Sequence, residues 1–117
     1  MIIANNFHFE SAHKLDGHKG RCGNLHGHSY TLTVKVEGVI NKNGMVIDFS
    51  TLEKIVKREV VDILDHQYLN GIIKLPTAEN ILLFIDQRLS NKLPICELKL
   101  RETRDSYVIL KKANEGN

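Results

Sequence analysis

No stretch of this chain is apolar for long enough to cross a bilayer, so a spanning helix is excluded. Basic runs are lacking too, and the formal net charge is only +2. That balance leaves no electrostatic footprint for nucleic acid. The opening residues MIIANNFHFE lack the charged-then-apolar order of a secretory leader, and a cytoplasmic location is expected. Cysteine is scarce: Cys22 and Cys96 are the only two. In a reducing compartment both are expected as free thiols. Repeats, linkers and low-complexity segments are lacking as well. What is present is a chain of 117 residues, 42% hydrophobic and 26% charged, which suits one soluble globular domain over 1–117. A core of that size is modest, and association with further copies would strengthen it.

Residues 2–14 alternate. Ile3, Phe7, Phe9 and His13 share one parity and Asn6, His8 and Glu10 the other, which predicts a strand. The glycine-rich, charged KLDGHKGRCGN (14–24) reads as a loop. A second strand is expected over roughly 25–40, where Leu32, Val34 and Val36 alternate with Thr33, Lys35 and Glu37. NKNG (41–44) signals a turn, after which MVIDF briefly continues the sheet. Ser50, with Glu53 three residues on, has capping-box spacing and opens a helix whose stripe is Leu52, Ile55, Val56, Val60 and Ile63. LDHQYLNGIIKLP (64–76) is a connector. Thr77 caps a second helix, with Ile81, Phe84, Ile85 and Leu89 facing one way. Two last strands follow, at about 95–102 and 107–112. The order β-β-α-α-β-β predicts an α+β fold, a four-stranded antiparallel sheet with two helices on one face. Its two open edges invite pairing between subunits.

The chemistry gathers in CGNLHGHSY (22–30). His26 and His28 stand two apart on a strand, so they share a face, and Gly27 between them leaves room for close backbone approach. His13 lies on the apolar parity of the first strand. If the two strands are antiparallel neighbours, it falls opposite His26 and His28. Three imidazoles can then hold one zinc ion with a fourth position open, the form of a catalytic site. Cys22 is open to two readings: a fourth ligand that closes the site, or a thiolate favoured by nearby Lys19 and Arg21. Cys96 sits among apolar residues and reads as a small buried hydrophobe. Asp65 and His66 are adjacent at a helix end. The carboxylate can set the histidine's tautomer, although neighbours in sequence seldom bond through their side chains, and a histidine there also suits the helix dipole. Glu102 shares parity with Leu98 and Leu100. It is either a strand-end glutamate reaching water or a covered carboxylate awaiting a two-donor ligand edge.

With those residues in view, the chain resembles the 6-pyruvoyl-tetrahydropterin synthase family. Within it, the chain is most similar to the queuosine-pathway branch that makes 6-carboxy-5,6,7,8-tetrahydropterin. The resemblance covers nearly the whole chain through FHFESAHKL (7–15), CGNLHGHSY (22–30), GMVIDF (44–49), LDHQYLN (64–70), PTAEN (76–80) and LRET (100–103). The Cys-x3-His-Gly-His spacing is its most specific part; the pyruvoyl-forming branch typically has a longer gap. The resemblance implies zinc on His13, His26 and His28, Cys22 as proton acceptor, and His66 with Asp65 as a proton relay. It implies Glu102 as the pterin anchor, often counted in the relay, with Thr77 and Glu79 near the pterin. Lys14, Lys19 and Arg21 flank the site and are candidates for the substrate's triphosphate, equally readable as solvated loop charges. The implied fold is the tunnelling fold, in which trimers close a twelve-stranded barrel and two trimers stack as a hexamer, with active sites between subunits. The implied reaction takes 7,8-dihydroneopterin triphosphate to 6-carboxy-tetrahydropterin, acetaldehyde and triphosphate. Alternatives are 6-pyruvoyl-tetrahydropterin synthesis, an aldolase-like cleavage of dihydroneopterin, or a non-catalytic zinc-stabilised barrel closed by Cys22.

Overall fold

The computed structural model describes residues 1–17, 19–20 and 23–112. Strand β1 (Ile2–His13) and strand β2 (His26–Glu37) pair antiparallel along their whole length, from Ile2 opposite Glu37 to His13 opposite His26. The alternation in sequence is the alternation in burial. Phe7, Phe9, Ser11 and His13 are covered, and across from them Tyr30, Leu32, Val34 and Val36. The opposite face stays polar: Thr33 donates to Asn6 at 2.6 Å, Ser29 donates to Glu10 at 2.8 Å, and His8 meets Thr31 at 3.2 Å.

The first helical arm begins as α1 (Phe49–Val56). Its cap is Asp48, whose carboxylate accepts the Ser50 amide at 2.8 Å, so Ser50 lies inside the helix instead of opening it. The aspartate wins because its ionised oxygen also suits the positive end of the helix. The arm then widens into a π-helical segment, Lys57–Val61, and ends in a short turn, α2 (Asp62–Leu64). Leu52, Val56, Val60 and Leu64 are buried along it, while Ile55 and Ile63 pack partly covered at the margin. The second arm, α3 (Ala78–Leu89), is capped by Thr77 as expected and buries Ile81, Leu82, Ile85 and Leu89. Arg88 ties the two arms together, donating to the Glu59 carbonyl at 2.7 Å and to its carboxylate at 3.2 Å.

Between the arms the chain makes a two-residue strand, β3 (Gln67–Tyr68), that runs parallel to β1 at Ser11 and Ala12. The sheet closes with β4 (Ile95–Arg101) and β5 (Tyr107–Lys111), both antiparallel to their neighbours. The sheet is therefore five-stranded and mixed, in the order β3-β1-β2-β4-β5, not four-stranded and antiparallel. The extra strand was hidden in a connector because two residues carry no alternation to read. MVIDF does not rejoin the sheet either. The turn at Gly44, held by the Asn41 side chain on the Asn43 amide, leads straight to the Asp48 cap. Both helical arms cover one face of the sheet, and the core between them unites Phe9, Leu32, Leu98 and Leu100 with the buried helix residues.

Candidate metal centre and adjoining cleft

The end of the β1–β2 pair builds the site. His13 faces His26 directly in the register, and His28 faces Ser11. All three rings project to the helix-covered side, and their ligand nitrogens lie within 4.8 Å of one another. Each ring is fixed from behind. His13 Nδ1 lies 2.7 Å from the Pro76 carbonyl, and His26 Nδ1 lies 2.7 Å from the Asn24 carbonyl. A carbonyl offers only lone pairs, so both Nδ1 atoms carry the proton. In the neutral rings Nε2 then presents its lone pair inward, and the His13 and His26 Nε2 atoms stand only 3.0 Å apart. Two facing lone pairs need positive charge between them, a shared proton or a metal ion.

Burial lowers the affinity of His28 for a proton below the ordinary imidazole range; the Glu102 carboxylate opposes that shift, and His13 and His26 reinforce it. Such an imidazole is ready to act as a metal ligand. Three neutral imidazoles converging from two strands are the donor set that suits zinc with a fourth position free. Below them Tyr30 stacks on Phe9 at 5.0 Å and meets the His28 ring edge at 5.5 Å. Its hydroxyl is buried without a hydrogen-bond partner among the described residues. Burial, then the Glu102 charge, pushes its pKa upward. Glu102 follows β4 and is 25% exposed, its Oε1 3.4 Å from His13 Nε2 and 3.6 Å from His28 Nε2. The strand parity that set it with Leu98 and Leu100 thus delivers it to the histidines.

Asp65 and His66 do bond through their side chains, Oδ2 to Nδ1 at 3.0 Å. The expectation that adjacent residues would not do so fails for a backbone reason. His66 has φ 56°, a left-handed conformation that turns its ring back over the preceding carboxylate. Glu10 clamps the pair. Its amide donates to Asp65 Oδ1 at 2.8 Å, and its carbonyl accepts the His66 amide. That backbone donor, followed by His66, holds the Asp65 carboxyl below the usual carboxylate range. The Ser11 hydroxyl donates to the Leu64 carbonyl and anchors the same corner. With Nδ1–H directed at Asp65, His66 presents Nε2 to an open cleft of about 620 Å³, whose wall also includes Glu10, Gly27, His28 and Ser29. His13, His26 and Glu102 are not on that wall. An added Cβ at Gly27 would meet the Ser11 carbonyl at an ordinary 3.6 Å, so close backbone approach does not demand the glycine.

The remaining expected residues are dispersed. Thr77 serves as the α3 cap, accepting the Asn80 amide at 3.1 Å, and Glu79 is exposed in the first turn of that helix. Lys14 and Lys19 are exposed, Lys14 near Asp16 at 3.9 Å. Cys22 and Arg21 lie outside the described residues. Cys96 is half-buried and contacts the Lys35 carbonyl, its thiol pushed up chiefly by burial. Three supports had no clear signal in the sequence: the Pro76 carbonyl, the Asn24 carbonyl and Asn70. Asn70 accepts the Lys14 amide at 2.9 Å and donates to the Lys14 carbonyl at 2.7 Å, closing the loop beside His13.

A protein-family model described as 6-pyruvoyl tetrahydropterin synthase matches residues 2–113. A 6-carboxy-5,6,7,8-tetrahydropterin synthase of Haemophilus influenzae is 40% identical across 90% of this chain and 94% of its own. A dihydroneopterin monophosphate aldolase of Pyrococcus furiosus is 51% identical over a shorter span, 60% of each chain. The solved 6-pyruvoyl tetrahydropterin synthase of Caenorhabditis elegans superimposes with a TM-score of 0.86 over 97% of this chain and 96% of that one, at 24% identity.

Proposed function

Because the chain belongs to the 6-pyruvoyl tetrahydropterin synthase family, we propose that it is a zinc enzyme that converts 7,8-dihydroneopterin triphosphate to 6-carboxy-5,6,7,8-tetrahydropterin, acetaldehyde and triphosphate. The product would enter queuosine and other 7-deazapurine biosynthesis. The observation that carries the reading is the convergence of His13, His26 and His28, with two carbonyl-oriented rings meeting Nε2 to Nε2 at 3.0 Å. Zinc, when bound there, supplies Lewis acidity toward the oxygens of the substrate side chain.

The chain's own residues do the rest. Cys22 removes the carbon-bound proton made acidic by the conjugated pterin, a role that the family resemblance implies. Asp65 keeps the Nδ1 proton on His66, so His66 Nε2 can take up and return a proton. Glu102 accepts from the N3–H and 2-amino groups of the pterin, with Thr77 and Glu79 beside that ring. Lys14, Lys19 and Arg21 neutralise the triphosphate. The working unit is a closed homo-oligomer, a hexamer formed as a dimer of trimers.

The relative from Pyrococcus favours one second reading, an aldolase cleavage of a dihydroneopterin phosphate. Mass spectrometry of products from the zinc-loaded protein with 7,8-dihydroneopterin triphosphate separates the outcomes. The expected result is 6-carboxy-tetrahydropterin with acetaldehyde. 6-Hydroxymethyl-7,8-dihydropterin with glycolaldehyde triphosphate would establish the aldolase instead, and 6-pyruvoyl-tetrahydropterin with free triphosphate would establish a reaction that stops before carbon–carbon cleavage.

A further inference from the structure

Tyr30 carries a polar atom that the free protein leaves unused. The residue is 1% exposed, and its hydroxyl is buried without a hydrogen-bond partner among the described residues. A buried hydroxyl left unpaired costs stability that phenylalanine at the same position would not. The ring cannot turn to find a partner. It stacks on Phe9 at 5.0 Å and meets the His28 and His13 rings edge to face, at 5.5 and 6.3 Å. A partner must therefore come to it, and the register shows which residue can. Phe9 stands opposite Tyr30 on β1, and Arg101 stands opposite Thr31 on β4, so one step further along the strands sets Glu102 beside Tyr30. Glu102 lies just past the last residue of β4 and is 25% exposed, which gives it the freedom that the ring lacks. Its Oε1 is turned toward His13 and His28, at 3.4 and 3.6 Å. Burial, and after it the Glu102 charge, pushes the phenol's pKa upward, which keeps the group an O–H donor.

We propose that Tyr30 is a positioning residue for the pterin anchor: once the pterin ring engages Glu102, the Tyr30 hydroxyl donates to that carboxylate and holds it in the pterin-binding orientation. The inference rests on the reading above, in which Glu102 takes the N3–H and 2-amino edge of the ring. A carboxylate offers about four lone pairs. Two ring donors side by side use one on each oxygen, which leaves each oxygen a second for a donor from the protein. Tyr30 can supply that donor without competing with the ligand. The acceptor is ionised and the donor is buried, the combination that makes a hydrogen bond stronger than one between neutral groups. The bond forms only in the bound state, so its strength adds to pterin affinity. The unpaired hydroxyl is then a cost to the free protein that binding removes.

The test is Tyr30→Phe, which removes one oxygen and keeps the ring, in the full-length zinc-loaded protein. The probe is unsubstituted pterin, titrated by calorimetry. Pterin affinity is expected to fall on the order of 10-fold or more, with zinc content unchanged. The urea midpoint of the free protein should not fall, and is expected to rise, because an unpaired buried group has gone. That split separates positioning from a structural role, since a hydroxyl that only supported the fold would lower the midpoint. In a Glu102→Gln background the acceptor is neutral, and the same substitution should weaken pterin binding by only about 3-fold or less. Equal pterin affinity in wild type and Tyr30→Phe would overturn the inference. An undiminished drop in the Glu102→Gln background would do the same, as would a lower midpoint in Tyr30→Phe; all three results leave the pterin reading standing. A wild type that binds no pterin, or a Glu102→Gln variant that binds it as tightly as wild type, would overturn this inference together with the anchor beneath it.

Discussion

At the scale of single residues, orientation matters more than identity. His13, His26 and His66 each have their Nδ1 bound by an oxygen, from Pro76, Asn24 and Asp65 respectively, which turns Nε2 outward for use. The Asp65 contact makes a prediction with a definite sign. Its carboxyl is held below the unfolded value near 3.8, chiefly by the Glu10 amide. The stability it contributes is therefore complete above that value and is lost as pH falls through the lower folded-state value. Denaturation curves of wild type and Asp65→Asn should converge at the acid end, separate as pH rises through the lowered folded-state value, and stay a constant distance apart above 3.8. In the same variant His66 loses the acceptor that fixes its tautomer. Turnover should drop on the order of 10²–10⁴-fold, the range of a general acid–base contribution, with metal content unchanged. A variant as active as wild type would remove the pair from the relay.

At the scale of elements, α3 illustrates how one segment serves both fold and site. Thr77 caps the helix, and the residue before it, Pro76, orients His13. Thr77→Ala is expected to cost about 1 kcal/mol of stability, measured as the urea midpoint, and to weaken metal binding in step. Intact metal affinity in a destabilised variant would uncouple the cap from the ligand. Much of this was readable in advance. The parity of Phe7, Phe9 and His13 sets that histidine on the covered face, and the parity of Leu98, Leu100 and Glu102 leaves the glutamate open between that face and water, where the structure finds it 25% exposed. Thr77 announced its helix by residue type alone. The unreadable parts share a cause: they are backbone events without a side-chain period. The left-handed His66, the two-residue β3 and the π-helical widening at Lys57–Val61 depend on how the chain packs at that point. Asp48 against Ser50 was a contest between two good caps, decided by which carried the charge.

At the scale of the whole molecule, the single chain is longer than a self-sufficient globule of its size. Its radius of gyration is 15.3 Å, against about 13 Å for a compact domain of this length. The extents of 53 × 28 × 25 Å reflect a long β1–β2 ribbon whose outer edge is paired by β3 only at Ser11 and Ala12. β5 leaves the other edge of the sheet open, and Tyr107 and Ile109 on it are exposed. Light scattering is expected to find a closed oligomer near six times the 13.3 kDa of one chain. A stable monomer at micromolar concentration would refute it. The two edges are also unlike, one from β1 and one from β5, so they cannot meet through a two-fold axis that pairs like with like. Copies joined β5 to β1 are related head to tail, and every addition leaves the same two free ends. Growth then stops only where the rotation between neighbours divides a full circle. A substitution that changes that angle while sparing the edge pairing would turn a finite ring into an open-ended fibre.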